Sequence, residues 1–156
     1  EPLLVSTPTL QPQLWNCLQA LHQTKALALG GPKLYYAALI SYFVLDRMSL
    51  DVLLDKYTPR PEEPPGRDVL QVLQTLDAHS NKFNYLLSQR EPLDPRLYQK
   101  LISVWAFNSM RVLGTDGSIV IYNRLANCAH SCNPSCSWMY GTRGNCIVRA
   151  RRALKS

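Results

Sequence analysis

The sequence lacks a hydrophobic run long enough to cross a membrane. Its most apolar stretch without a charged residue or a proline, residues 34–45, has 12 residues, whereas a membrane-spanning helix needs about 20. Cysteine is also too scarce for a disulfide scaffold, because the chain has only five cysteines in 156 residues and the number is odd. We therefore expect a domain without membrane contact, whose thiols stay reduced in a reducing compartment.

Acidic residues are nearly missing from one part of the chain. Residues 111–156 contain seven Lys or Arg but only one acidic residue, Asp116, so this part carries all of the net charge of +6. A basic surface attracts phosphates, acidic peptides and anionic cofactors through Coulomb forces that salt weakens, which makes nucleic acid an obvious candidate partner. The alternative is a solvated strand face, since Arg149, Arg151 and Arg152 lie in a segment that alternates like a strand.

Apolar residues are plentiful at 46%, so the chain has enough of them to pack a core. Up to about residue 113 they recur every three or four positions, which predicts helices. The predicted helices begin near Leu14 and then cover residues 33–57, 67–89 and 95–113. Ser49 is expected to divide the first long segment as an N-cap, and Asp94 to cap the last helix. The proline-rich segment 58–66 predicts a loop between helices.

The pattern changes after Gly114. Short runs with a strand-like pattern occupy residues 118–122, 136–140 and 145–150, with glycine-containing turns between them. The sequence therefore predicts an α+β fold, with a helical region over residues 1–113 and a small β-unit over residues 114–156.

Residues 127–136 contain three of the five cysteines and one of the three histidines. Cys and His are ligands that zinc prefers, and the spacing of Cys132 and Cys136 occurs in zinc sites. A thiol activated by His130 is a second interpretation. The third is a tight turn of buried small residues with a hydrogen-bonded histidine. Composition alone leaves all three open.

Residues 130–134, His-Ser-Cys-Asn-Pro, resemble the Asn-His-Ser-Cys-x-Pro-Asn signature of the SET-domain lysine methyltransferases. Residues 77–83 resemble a helical stretch of the insert that precedes the SET core in the SET and MYND-type subgroup. Four further segments are similar to motifs of that subgroup: 107–110 to Cys-Asn-Ser-Phe, 117–122 to a glycine-containing run ending in Leu-Tyr, 132–137 to Cys-Asp-Pro-Asn-Cys-Ser, and 148–154 to Leu-Arg-Ala-Val-Arg-Asp-Ile. The resemblance extends over about half of the chain.

This resemblance implies a helical insert bundle leading into a partial SET β-fold, and transfer of a methyl group from S-adenosylmethionine to a lysine amine of a protein substrate. The positions that match the family's cofactor-binding residues are His79, Ala129 and His130. The positions that match the wall of its lysine channel are Met110, Arg111 and Ala126. Cys132 matches a cysteine that joins three downstream cysteines around a structural zinc. The resemblance also implies an intracellular location, in the nucleus, the cytoplasm or both.

The sequence departs from the family pattern at Ala129, where the signature has Asn. It also lacks the family's Gly-x-Gly cofactor segment, the MYND cysteine cluster, the C-terminal tyrosine and the post-SET cysteines. We therefore expect the chain to be a piece of a longer polypeptide, and this piece alone to be inactive. Two alternative functions stay open: a non-catalytic SET-like protein-interaction module, and a basic nucleic-acid-binding domain.

Overall fold

The computed structural model describes residues 1–27, 31–59, 64–79, 92–128, 131–141 and 144–153, and within them the fold is α+β, as predicted. The helices are α1 (Pro12–Gln23), α2 (Pro32–Val44), α3 (Arg47–Leu54), α4 (Arg67–Ala78) and α5 (Pro95–Asn108). The strands are β1 (Pro2–Ser6), β2 (Met110–Arg111), β3 (Ile119–Tyr122), β4 (Cys136–Tyr140) and β5 (Cys146–Ala150), and a short 3-10 helix covers Leu125–Asn127.

Helix α2 is the centre of the core. Ten of its 13 residues are buried, and it packs against α1, α5 and β1. Most of the apolar run of residues 34–45 therefore lies in a helix whose sides are covered by protein up to Tyr42, as expected for a helix without a polar face. No helix in the described part of the chain is long and apolar enough to cross a membrane.

The polar groups inside this core are hydrogen-bonded. The indole Nε1 of Trp105 donates to Ser41 Oγ at 2.7 Å, and Ser41 Oγ donates to the carbonyl of Ala37 at 2.7 Å. Burying such groups without partners costs free energy. This chain of two bonds satisfies them and links α5 to α2.

The helix boundaries confirm one predicted cap and correct another. Asp94 caps α5, since its carboxylate accepts hydrogen bonds from the backbone N–H of Arg96 and Leu97, as predicted. Ser49 is not a cap: the cap of α3 is Asp46, which accepts from the N–H of Ser49 at 2.7 Å. The predicted helix over 33–57 is therefore divided three residues earlier than expected.

Two helices end earlier than their predicted bounds. Helix α5 stops at Asn108 rather than at residue 113, because Ser109 is extended and the next two residues form β2. Helix α4 ends at Ala78, with His79 as its C-cap. The rest of the predicted helix over 67–89 lies outside the described residues.

Two antiparallel sheets complete the fold. The first has the strand order β1-β3-β2, in which Val5 pairs with Val120 and Met110 pairs with the same residue from the other side. The sequence did not predict β1, which brings the first residues of the chain against β3. The second sheet is a ribbon of β4 and β5, and β4 has the predicted bounds, residues 136–140.

Replacing the capping carboxylate of α5 should destabilise the fold. We expect Asp94→Ala to lower the free energy of unfolding by about 1 kcal/mol, because two backbone N–H groups lose their acceptor. Urea unfolding followed by circular dichroism measures it. The matched control is Asp51→Ala at an exposed position inside α3, and equal stability of the two variants would contradict the assigned cap.

Candidate functional site

A groove of about 730 Å³ lies between the end of α5, the first sheet and the ribbon, and we call it the C-terminal groove. Its lining residues come from four parts of the chain: 107–110, Tyr122 with Leu125, Ala126 and Cys128, Ser131 with 134–138, and Val148. The lining combines apolar side chains with hydroxyl, amide and thiol groups. This size and composition are typical of small-molecule and substrate sites.

The structure brings two of the predicted site residues together in this groove. Met110 and Ala126 both line it, although 16 positions separate them in the sequence. Arg111 does not line it: the residue is exposed on β2, and its carbonyl accepts a hydrogen bond from the Tyr140 hydroxyl. Cys132 is exposed in the segment that contributes Ser131 and Pro134.

The predicted cofactor residues are not assembled in the described part of the groove. Ala129 and His130 lie outside the described residues. His79 lines a different cavity of about 580 Å³, the α1–α4 cavity, which shares no lining residue with the C-terminal groove. His79 is the C-cap of α4, and its Nδ1 lies 2.9 Å from the carbonyl of Thr75 on the same helix.

A buried lysine, Lys56, binds the turn after β3 that leads into one side of the C-terminal groove. Only 7% of Lys56 is exposed, and its Nζ donates to the carbonyl of Asn123 at 3.1 Å, to Asn127 Oδ1 at 3.0 Å and to Asn123 Oδ1. An ammonium group has three N–H donors, so each of them has an oxygen acceptor. Lys56 therefore fixes the turn that leads into Leu125, Ala126 and Cys128.

The next residue, Tyr57, contacts the end of α5, which lines another side of the groove. The carbonyl of Tyr57 accepts a hydrogen bond from Asn108 Nδ2 at 2.8 Å, and its ring meets Phe107 edge to face with the ring centroids 6.4 Å apart. Phe107 and Asn108 both line the groove. We call Lys56 and Tyr57 together the clamp. Sequence reasoning missed it, because a single lysine near a helix end carries no signal of burial.

Two tyrosine hydroxyls connect the ribbon to the first sheet. Tyr122 donates to the carbonyl of Gly144 at 2.7 Å, and Tyr140 donates to the carbonyl of Arg111. Burial raises the pKa of the Tyr122 phenol above its ordinary value, so the hydroxyl stays protonated and remains a donor. Burial also raises the pKa of the Cys146 thiol on β5.

The cysteines do not assemble into a metal site within the described residues. All five are thiols, and no three His, Cys, Asp or Glu side chains in the described part of the chain come together as metal ligands. Cys132 is exposed, and zinc binding at Cys132 remains a prediction from the resemblance. The pairing of a thiol with His130 involves a residue outside the described part.

The comparisons with known proteins add no family assignment. No protein-family model matches the sequence, and no curated protein sequence matches it significantly.

Removing the buried ammonium should destabilise the fold. We expect Lys56→Met to lower the free energy of unfolding by about 1–3 kcal/mol, because oxygens of Asn123 and Asn127 lose a charged donor. The matched control is Lys33→Met on the half-buried start of α2, expected within about 0.5 kcal/mol of the unchanged chain. Urea unfolding compares the two, and equal stabilities would show that the clamp contributes nothing.

Proposed function

We propose that the chain is part of an S-adenosylmethionine-dependent protein-lysine N-methyltransferase with a partial SET fold, and that the C-terminal groove is its site. One observation carries the proposal. Four segments that resemble motifs of the SET and MYND-type subgroup, 107–110, 117–122, 132–137 and 148–154, all contribute residues to the lining of one groove. Segments that share a function are expected to meet at one site, however far apart they lie in the sequence.

The size and lining of the groove suit the cofactor. Ligand sites have volumes of roughly 300–1,000 Å³ and are mainly apolar with a few polar groups, and a volume of about 730 Å³ lies in that range. Asn108, Ser109 and Ser131 supply amide and hydroxyl groups for the polar parts of the cofactor. Ala129 and His130 follow Cys128 directly and remain the proposed cofactor-binding positions. His79 is left out, because it lines the α1–α4 cavity.

The chemistry requires a neutral amine placed in line with an electrophilic methyl group, which S-adenosylmethionine supplies when bound. Positioning and exclusion of water do most of the work in such a displacement. Phe107, Met110 and Ala126 provide an apolar wall. An apolar wall disfavours the charged ammonium of a substrate lysine, lowers its pKa and so raises the share of the reactive neutral form. Nothing in the described residues assigns zinc a part in this step.

A second candidate function is a non-catalytic protein-interaction module. Ala129 favours it, since the amide of the family's signature is replaced by a methyl group that makes no hydrogen bond. The two functions differ in one property, which is binding of the cofactor.

Calorimetric titration of S-adenosylmethionine and S-adenosylhomocysteine into the chain tests the proposal. Binding is the readout because we expect this piece alone not to turn over. We expect saturable micromolar binding, weakened about tenfold or more by Ser131→Trp, because the exposed serine lines the groove and an indole there fills it. A tenfold loss corresponds to about 1.4 kcal/mol.

The matched control is Gln74→Trp, which adds the same side chain at an exposed position of α4 and should leave the affinity unchanged. No heat of binding from a folded chain would contradict the proposal that the C-terminal groove binds the cofactor and would favour the interaction module. Equal loss of affinity in both variants would show that the cofactor does not bind in the C-terminal groove.

A further inference from the structure

The ribbon of β4 and β5 exposes large apolar side chains on both of its faces. Trp138 pairs with Val148, and Met139 pairs with Ile147. Between 39% and 48% of each of these four side chains is exposed. Successive residues of a strand point to opposite faces, so the two pairs lie on different sides. In the described part of the chain β4 and β5 pair only with each other.

One face of the ribbon belongs to the C-terminal groove, whereas Met139, Ile147 and Arg149 on the other face line neither cavity. Trp138 and Val148 line the groove. Met139 and Ile147 do not, and together with Arg149 they form what we call the outer face. A two-stranded ribbon is at best marginally stable by itself, and a cluster of exposed apolar residues with a polar rim is typical of a protein-interaction site.

The charged residues on and just after β5 have one sign. Arg149 lies on it, and the exposed Arg151 and Arg152 follow directly at the end of β5. Asp116 is the single acidic residue after residue 110. An acidic partner therefore gains Coulomb attraction along this surface. A second copy docked through the same face would instead bring like charges together, since such an interface joins identical patches.

The apolar residues of the outer face decide between the classes of acidic partner. Proteins that bind single-stranded nucleic acid stack its bases on aromatic side chains. The aromatic residues of the ribbon, Trp138 and Tyr140, contact each other edge to face at 5.3 Å and lie on the groove side. The outer face presents Met139 and Ile147, whose side chains suit contact with the apolar side chains of a partner. Its chemistry therefore suits a polypeptide that carries acidic and aliphatic residues.

We propose that the outer face docks an extended acidic segment of another protein, which adds as a strand to an open edge of the ribbon. Backbone hydrogen bonds to the edge supply affinity in this mode, and side chains supply specificity. Glutamate or aspartate side chains of the segment pair with Arg149 and Arg151, while its aliphatic side chains cover Met139 and Ile147. This docking does not depend on the proposed methyl transfer, because Met139, Ile147, Arg149 and Arg151 do not line the groove.

Fluorescence anisotropy with a labelled peptide tests the docking. The probe is an extended peptide of about eight residues in which Glu and Val take turns at every second position with Ser between them, so that both kinds of side chain lie on the same face of the added strand. We expect it to bind the chain at low salt, and Met139→Glu and Arg149→Glu each to raise the dissociation constant about tenfold or more. The neutral variant Met139→Gln should raise it less, since it removes apolar contact without adding repulsion.

The chain offers a matched control for each variant. Met48→Glu and Arg47→Glu introduce the same changes at exposed positions of α3, where 81% of Met48 is accessible. Both should leave the affinity unchanged. Equal loss in the α3 variants, or equal binding of a Lys-Val peptide, would overturn the proposal.

The other occupants of the outer face are separate outcomes of the same experiment. A single-stranded DNA oligonucleotide that displaces the peptide, with a loss of affinity in Arg149→Glu but none in Met139→Gln, would replace the peptide by nucleic acid. A dimer in sedimentation that Met139→Glu dissociates, with no peptide binding, would replace it by a second copy. Absence of S-adenosylmethionine binding would leave the docking proposal unaffected.

Discussion

The arrangement of the C-terminal groove depends on one buried cation. Removing an ammonium group from water costs several kcal/mol unless its donors are satisfied, and the Nζ of Lys56 has oxygen partners only where Asn123 and Asn127 come together. The end of α3 and the turn after β3 are therefore tied to each other. The carbonyl of Tyr57 also accepts a hydrogen bond from Asn108 at the end of α5. The two successive residues Lys56 and Tyr57 therefore position both the turn after β3 and the end of α5.

The helical half of the chain determines where this clamp lies. Ten of the 13 residues of α2 are buried, and α5 packs against α2 and against α3. Once these helices are packed, Lys56 and Tyr57 at the end of α3 face the end of α5. The first sheet then brings Tyr122 beside them, and its hydroxyl holds the turn of the ribbon at Gly144. A groove built in this way requires the whole described fold, and none of its motif segments can form it alone.

Features with a local cause were predictable from the sequence. Asp94 before Pro95 predicts the start of α5, and the run over residues 136–140 predicts β4. Features with a distant cause were missed: β1 is stabilised by partners more than a hundred positions away, and a lysine is expected in solvent unless a folded partner surrounds it. The family resemblance predicted that Met110 and Ala126 lie in one site, and both line the C-terminal groove, whereas His79 lines the cavity between α1 and α4.

The most direct test of the clamp is amide hydrogen exchange of the Lys56→Met variant, followed residue by residue under conditions where it stays folded. We expect faster exchange at Cys128, whose N–H is bonded within the turn, and at Ser109, whose N–H is bonded to Trp105 at the end of α5. The amides of α2 should keep their protection, since its packing does not involve Lys56. Faster exchange at only one of Cys128 and Ser109, or equally faster exchange throughout α2, would contradict the role assigned to the clamp.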